Sequence, residues 1–196
     1  MKVLLINAHH NYPGWSEGGL NAAAQDVARQ FFVERGDEVL ETKVDDGYDV
    51  AEEEAKHLAA DLVLLQTPIN WFGAPWTYKK YVDEVFNHVL ATQSMLTGDG
   101  RTRSDLTIPY GSGGIMEGRR FMVSSTWNAP ADAFDNPASP VFVGRSLADA
   151  LGAITANYRF CGYEVLPEFA IVDIFNNPDI EADLARYREH LTAHAL

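Results

Sequence analysis

Residues 61–86 read DLVLLQTPINWFGAPWTYKKYVDEVF and join two structural periods through an aromatic loop. The run from Leu62 to Thr67 is continuous in Leu and Val, as in a strand covered on both faces of a parallel sheet. It stops at Pro68. After it, Trp71 and Phe72 offer two large planar groups, Gly73 permits positive φ or close backbone approach, and Pro75 is preset for a first helical turn. Tyr78, Tyr81, Val82, Val85 and Phe86 then recur at helical spacing. In an open parallel α/β sheet the loops after the strands' carboxyl ends form the ligand crevice, so this loop stands where a flat ligand would bind. A competing reading buries Trp71, Phe72 and Trp76 in the core; Trp76 fits it best and the other two worst.

The same alternation extends along the chain. Strand-like segments at Lys2–Asn7, Glu38–Val44, Leu62–Thr67, Phe121–Thr126 and Val165–Val172 alternate with helix-like ones near 18–35, 50–59, 75–90 and 146–160, and a terminal helix is expected over Asp179–His194. This points to a doubly wound α/β fold with a five-stranded parallel sheet. At 196 residues the chain is expected to form one domain over residues 1–196. The segment 91–118 has no sustained period, contains six Gly residues and reads as an ordered excursion able to wall a second ligand.

Composition narrows the class. The chain is 46% hydrophobic and 11% aromatic, with no apolar run near the roughly 20 residues of a membrane span. Met1–Ile6 is too short for a signal-peptide core before polar Asn7, His9 and His10, so the default compartment is cytoplasmic. A formal charge of −13 opposes nucleic acid as a partner. Cys161 is the single cysteine, which excludes an intrachain disulfide, and no metal is expected: His57, His88, His190 and His194 lack ligand spacing.

Three loops carry candidate chemistry. Ser16-Glu17-Gly18-Gly19-Leu20-Asn21 lies between the first strand and first helix, where Ser16 can cap the helix or grip a phosphate together with the free N–H groups of its first turn. It matches neither GxxxxGK[ST] nor GxGxxG, which disfavours a P-loop hydrolase and the dinucleotide fingerprint. Ser124–Pro130, read SSTWNAP, supplies Thr126 and Asn128 for hydrogen bonding and Trp127 as a flat wall or a buried ring. His9 and His10 follow the first strand, and at most one of them faces a ligand.

Together SEGGLN, PINWFGAPW, DGRTR with YGSGG, and TWNAP resemble the flavodoxin-like NAD(P)H:quinone oxidoreductases of the modulator of drug activity B type, nearly end to end. The resemblance implies a flavodoxin-like sheet of order 2-1-3-4-5 with helices on both faces. It implies FAD, with FMN the lesser alternative, at a homodimer interface, NADPH or NADH as reductant, and a quinone as acceptor. Ser16 through Asn21, with Ala22 and Ala23, would hold phosphates; Ile69, Asn70, Trp71, Phe72, Tyr110, Thr126, Trp127, Asn128 and Ala129 would line the flavin. The implied mechanism is ping-pong: the nicotinamide delivers hydride to flavin N5 and leaves, and a quinone takes two electrons at the same face. The catalytic candidates are Tyr110, to contact donor or acceptor, and the backbone N–H groups near Trp71 and Asn128, to stabilise charge on the reduced flavin. Where close relatives tend to carry Gly-Trp-Trp, this chain has Ile69-Asn70-Trp71, which bears on pocket shape. A flavin-binding electron carrier and a flavin or azo-dye reductase stand as alternatives. Arg101, Arg103, Arg119 and Arg120 are candidates for a 2′-phosphate or for solvated charge.

Overall fold

The computed structural model describes residues 1–195. Its elements are β1 (Lys2–Asn7), α1 (Gly19–Glu34), β2 (Glu38–Lys43), α2 (Val50–Ala59), β3 (Leu62–Pro68), α3 (Trp76–Thr92), β4 (Arg120–Thr126), α4 (Leu147–Ala150), α5 (Gly152–Phe160), β5 (Glu164–Val165), β6 (Phe169–Ile171) and α6 (Ile180–His194). All strand pairs are parallel, in the order β2-β1-β3-β4-β5, with β6 also on β4. The expected order 2-1-3-4-5 is present, and the fifth strand differs in one respect. It is split around Leu166–Glu168: Phe121 pairs with Val165 but Ser124 with Phe169, so the fifth position carries one residue more than β4 across the break. Pro167 sits in that bulge, where it has no N–H to offer a ladder.

The faces separate cleanly. Val3, Leu5, Leu62, Leu64 and Met122 pack against Ala24, Ala28, Phe31 and Phe32 of α1 and Tyr187 and Leu191 of α6. The alternate residues Leu4, Ile6, Val63, Leu65, Phe121 and Val123 pack against α3 and α5. β3 is buried along its whole length, which is why its sequence shows no alternation. Tyr158 of α5 lies flat on Phe121, with ring centroids 3.6 Å apart and an interplanar angle of 9°. The helix expected over 146–160 is two helices, broken at Leu151 before Gly152. No helix among the described residues is long and apolar enough to cross a membrane.

One polar cluster is built into the α2 side. Glu53, 1% exposed, accepts from Thr42 Oγ1 at 2.8 Å, Tyr81 OH at 2.7 Å and Lys56 Nζ at 2.6 Å. Neighbouring His57 is fully buried, its Nδ1 paired with the Glu53 carbonyl at 2.9 Å and its Nε2 without a partner among the described residues. Burial pushes the His57 imidazole below its ordinary range, so it is neutral in the fold.

Candidate functional site

The carboxyl ends of β1, β3 and β4 bring three loops to one edge of the sheet, and Asn21 of α1 joins them. Gln66 Nε2 of β3 donates to Asn21 Oδ1 at 2.9 Å, and Asn21 Nδ2 lies 3.4 Å from Thr126 Oγ1 of β4. Asn21 and Thr126 are thus committed to each other and to the scaffold beneath the crevice. Ile69 N donates to Thr126 O at 2.9 Å and Trp127 N to Ile171 O at 2.8 Å, fixing where the aromatic and TWNA loops leave the sheet.

In the first loop Ser16 does not cap α1. The N-cap is Gly18, in the left-handed region at φ 80° with no side-chain cap, and the first turn contains no acidic residue. Ser16 Oγ instead meets His9 Nε2 at 3.2 Å. A Cβ on Gly18 would lie 2.5 Å from His9 Nδ1, so the turn requires glycine twice, for its φ and for the imidazole against it. Burial lowers the His9 pKa below its ordinary value. The result is an uncapped helix start beside a hydroxyl and a largely neutral imidazole, which suits an anion. Glu17, Gly19 and Ala22 are exposed there, while Leu20 and Ala23 are half-buried.

The aromatic loop folds differently from its sequence. Asn70 N donates to Gly73 O at 2.8 Å and Gly73 N to Asn70 O at 3.2 Å, closing a tight turn whose two central residues are Trp71 at φ 50° and Phe72 at φ 67°. Both central residues have the positive φ of a type I′ turn, which ordinarily selects Asn-Gly. Gly73, which the sequence offered for that role, is not left-handed; the bulky residues are. Trp71 is 92% and Phe72 60% exposed. Trp76, which fitted the competing buried reading best, is 60% exposed and edge-on to His10 at 5.4 Å.

Across from this turn, Trp127 is buried, its Nε1 donating to Ser125 Oγ at 2.8 Å, with Phe134 and Phe142 edge-on to its ring. Asn128 is exposed and Ala129 half-buried. The N–H groups of Trp71, Phe72, Asn128 and Ala129 have no protein partner among the described residues. A cavity of about 480 Å³ lies between the turn and the loop after β4, walled by Ile69, Trp71, Phe72, Trp127, Asn128 and Phe142 among others.

Tyr110 is not brought to this cavity within one chain. It packs on Phe160 at the carboxyl end of α5, with ring centroids 5.4 Å apart and the Arg101 guanidinium 5.1 Å over its ring. Because α3 and α5 run against the strands, their carboxyl ends, and Tyr110 with them, lie toward the strands' amino ends. Tyr110, Phe86, Leu90, Leu96 and Phe160 line a separate groove there. The excursion that carries Tyr110 is pinned rather than loose: a Cβ on Gly113 would meet Gly98 O at 2.2 Å and one on Gly114 the Cys161 carbonyl carbon at 2.2 Å. Arg101 is paired with Asp99, and Arg119 donates to Ala60 O and faces Asp61.

Residues 1–195 match the family model described as flavodoxin-like fold. The chain belongs to that family. This flavodoxin-like chain is 37% identical over 191 residues to an uncharacterized protein of Schizosaccharomyces pombe, covering 97% of this chain and 95% of that one. It is 36% identical over 191 residues to the NADPH:quinone oxidoreductase MdaB of Haemophilus influenzae, covering 97% of each. Among solved structures it superposes on general stress protein 14 of Treponema denticola, a complex with FMN, with a TM-score of 0.64 and 20% identity over 98% of this chain and 96% of that one. At that identity the likeness speaks for the fold alone. Three features of the flavodoxin-like site lay beyond the sequence reading: the Trp71–Phe72 turn, the His9–Gly18 contact, and the Phe142 wall, for which the sequence carries no distinctive signal.

Proposed function

We propose that this chain is a flavin-dependent NAD(P)H:quinone oxidoreductase that binds FAD. The observation that carries the reading is the strained Trp71–Phe72 turn, which holds two exposed rings and two free N–H groups against the Trp127–Ala129 loop. Strain of this kind persists where a site needs it. The N–H groups of Glu17, Gly18, Gly19, Leu20 and Asn21, with the Ser16 hydroxyl, hold the phosphates, and Ala22 and Ala23 flank them; the Ser16 and Ala22 N–H groups are already given to the Tyr12 and Gly18 carbonyls. Ile69–Phe72 and Thr126–Ala129 hold the ring system. When bound, the flavin supplies two-electron chemistry between a reduced nicotinamide and a quinone. The N–H groups of Trp71 and Asn128 are placed to favour negative charge on the ring, and Phe72 and Phe142 keep water from its face. Donor and acceptor use that face in turn, which makes the kinetics ping-pong.

Tyr110 enters this scheme from a second copy. Its distance from the crevice within one chain, its 69% exposure and the apolar groove around it fit a homodimer in which the excursion of one subunit closes the cavity of the other. The relative at 36% identity over nearly the full length supports the quinone as acceptor. The test is an absorption spectrum of the purified protein followed by anaerobic NADPH and chromatography of the released flavin. A yellow protein that releases FAD and bleaches rapidly is expected. Bleaching by a reduced partner protein but not by NADPH would favour the carrier, and a protein colourless with added FAD or FMN would overturn the reading.

A further inference from the structure

The connection between β1 and α1 runs from Ala8 to Gly18, longer than the about two to six residues usual for such loops. The extra length makes a small hairpin. Tyr12 N donates to Ser16 O at 2.9 Å, Ser16 N to Tyr12 O at 2.9 Å and Trp15 N to Tyr12 O at 3.0 Å. Pro13 and Gly14, the latter at φ 74°, occupy the corner as a type II turn prefers. Trp15 is thereby held with 79% of its surface in solvent.

Trp15 leads a row of rings. Its centroid is 6.0 Å from Tyr12, Tyr12 is edge-on to His10 at 4.8 Å, and His10 is edge-on to the exposed Trp76 at 5.4 Å. His10 is anchored through Nδ1 by Asp45, which also accepts from the Asn11 N–H at 3.1 Å. No aromatic ring of the chain covers the outer face of either Trp among the described residues. A preorganised aromatic surface of this kind, on a hairpin with its backbone bonds made, suits a flat ligand whose binding rests on stacking.

Position and charge select the ligand. Ser16 ends the hairpin and begins the uncapped turn at the start of α1, so a molecule with its phosphates at that turn lies beside the row. A flavin mononucleotide ends at its phosphate and has nothing further to lay there. Asp45, held against His10, sets a carboxylate beside the row, which an uncharged base tolerates better than an additional phosphate. We propose that Trp15, Tyr12, His10 and Trp76 form the platform for the adenine of a flavin dinucleotide, and so select FAD over FMN. This rests on the flavin reading above and adds to it a site outside the three loops.

The test titrates FAD and FMN separately into flavin-free wild type, Trp15→Ala and Trp76→Ala, followed by calorimetry. Both Trp side chains are mainly exposed, and far-UV circular dichroism checks that the variants fold. Wild type should bind FAD more tightly than FMN. Each variant should weaken FAD by between about 5-fold and about 150-fold, the range of one aromatic–base stack, and leave FMN unchanged; Trp15→Phe should recover most of the loss. Equal affinities for the two flavins in wild type, or a parallel fall of both in the variants, would overturn the platform. So would unchanged FAD binding with a raised KM for NADPH, which would give the row to the other adenine. Failure of wild type to bind either flavin would overturn the flavin reading itself, an outcome the variants cannot imitate.

Discussion

Replacing Trp71 by Asn should make the flavin-free protein more stable and its flavin complex weaker. An ordinary side chain in the left-handed region costs about 1–2 kcal/mol, and Asn, which visits that region readily, recovers about 1 kcal/mol of it. Little opposes this gain. Trp71 is 92% exposed, so the packing lost amounts to no more than about 0.3 kcal/mol. The net of about 0.7 kcal/mol corresponds to a rise in Tm of about 1–3 °C for a chain of this size. The lost ring contact should raise the flavin Kd by between about 2-fold and about 13-fold, from the about 0.5–1.5 kcal/mol that an aromatic pair contributes beyond burial. Scanning calorimetry of flavin-free wild type and variant at matched concentration gives the first quantity, and flavin titration the second. A lower Tm in the flavin-free variant would show that the indole supports the fold, and an unchanged Kd that it never meets the flavin; either would break the inference from strain to site.

Gly18→Ala places a methyl 2.5 Å from His9 Nδ1 at a φ of 80°, and should cost about 2–3 kcal/mol in urea-unfolding stability while weakening flavin binding further. An unchanged urea midpoint would mean the turn is looser than described. The Cys161 thiol, pushed up to about 12 by burial, should resist Ellman's reagent at pH 8 in native protein and react once denatured. Rapid native modification would contradict its burial. His57 is held neutral in the fold but takes a proton near pH 6.5 in the unfolded chain, so its contribution is complete above that pH and declines as pH falls through and below it. Urea midpoints at pH 7.5, 6.5 and 5.5 should fall on acidification in wild type and fall less in His57→Phe; identical slopes would assign the effect to other groups.

The sheet was legible because β3 and β1 are apolar without interruption and α1 carries a continuous stripe from Leu20 to Phe32; both are local consequences of burial. The split of the fifth strand was not, although Pro167 lay in view, because a bulge is set by registration against β4 rather than by its own residues. In the site, the clustering of three loops followed from topology. The conformation of Trp71 and Phe72 did not, because propensity assigns a left-handed turn to the nearby Gly73 and only the closing hydrogen bonds between Asn70 and Gly73 override it. Ser16 looked like a cap for the same reason, and Gly18 took that position because His9 fills the space a side chain would need. Tyr110 shows the limit of reading along a chain, since motif order says nothing of which end of the sheet an excursion reaches.

The interrupted fifth strand has a consequence for how the molecule meets its own kind. A sheet ends in two rows of unpaired backbone groups, and a long flat edge invites a foreign strand. Here one edge is offered in pieces, Glu164–Val165 and Phe169–Ile171, separated by Pro167, whose carbonyl is already engaged by His190 Nε2 at 3.0 Å. The other, β2, sets Glu38, Glu41 and Lys43 into solvent along its length. Neither border can be extended without burying charge or bridging a gap. Both borders therefore disfavour strand-to-strand contact between copies of this chain, and with it the strand-by-strand growth of a fibre.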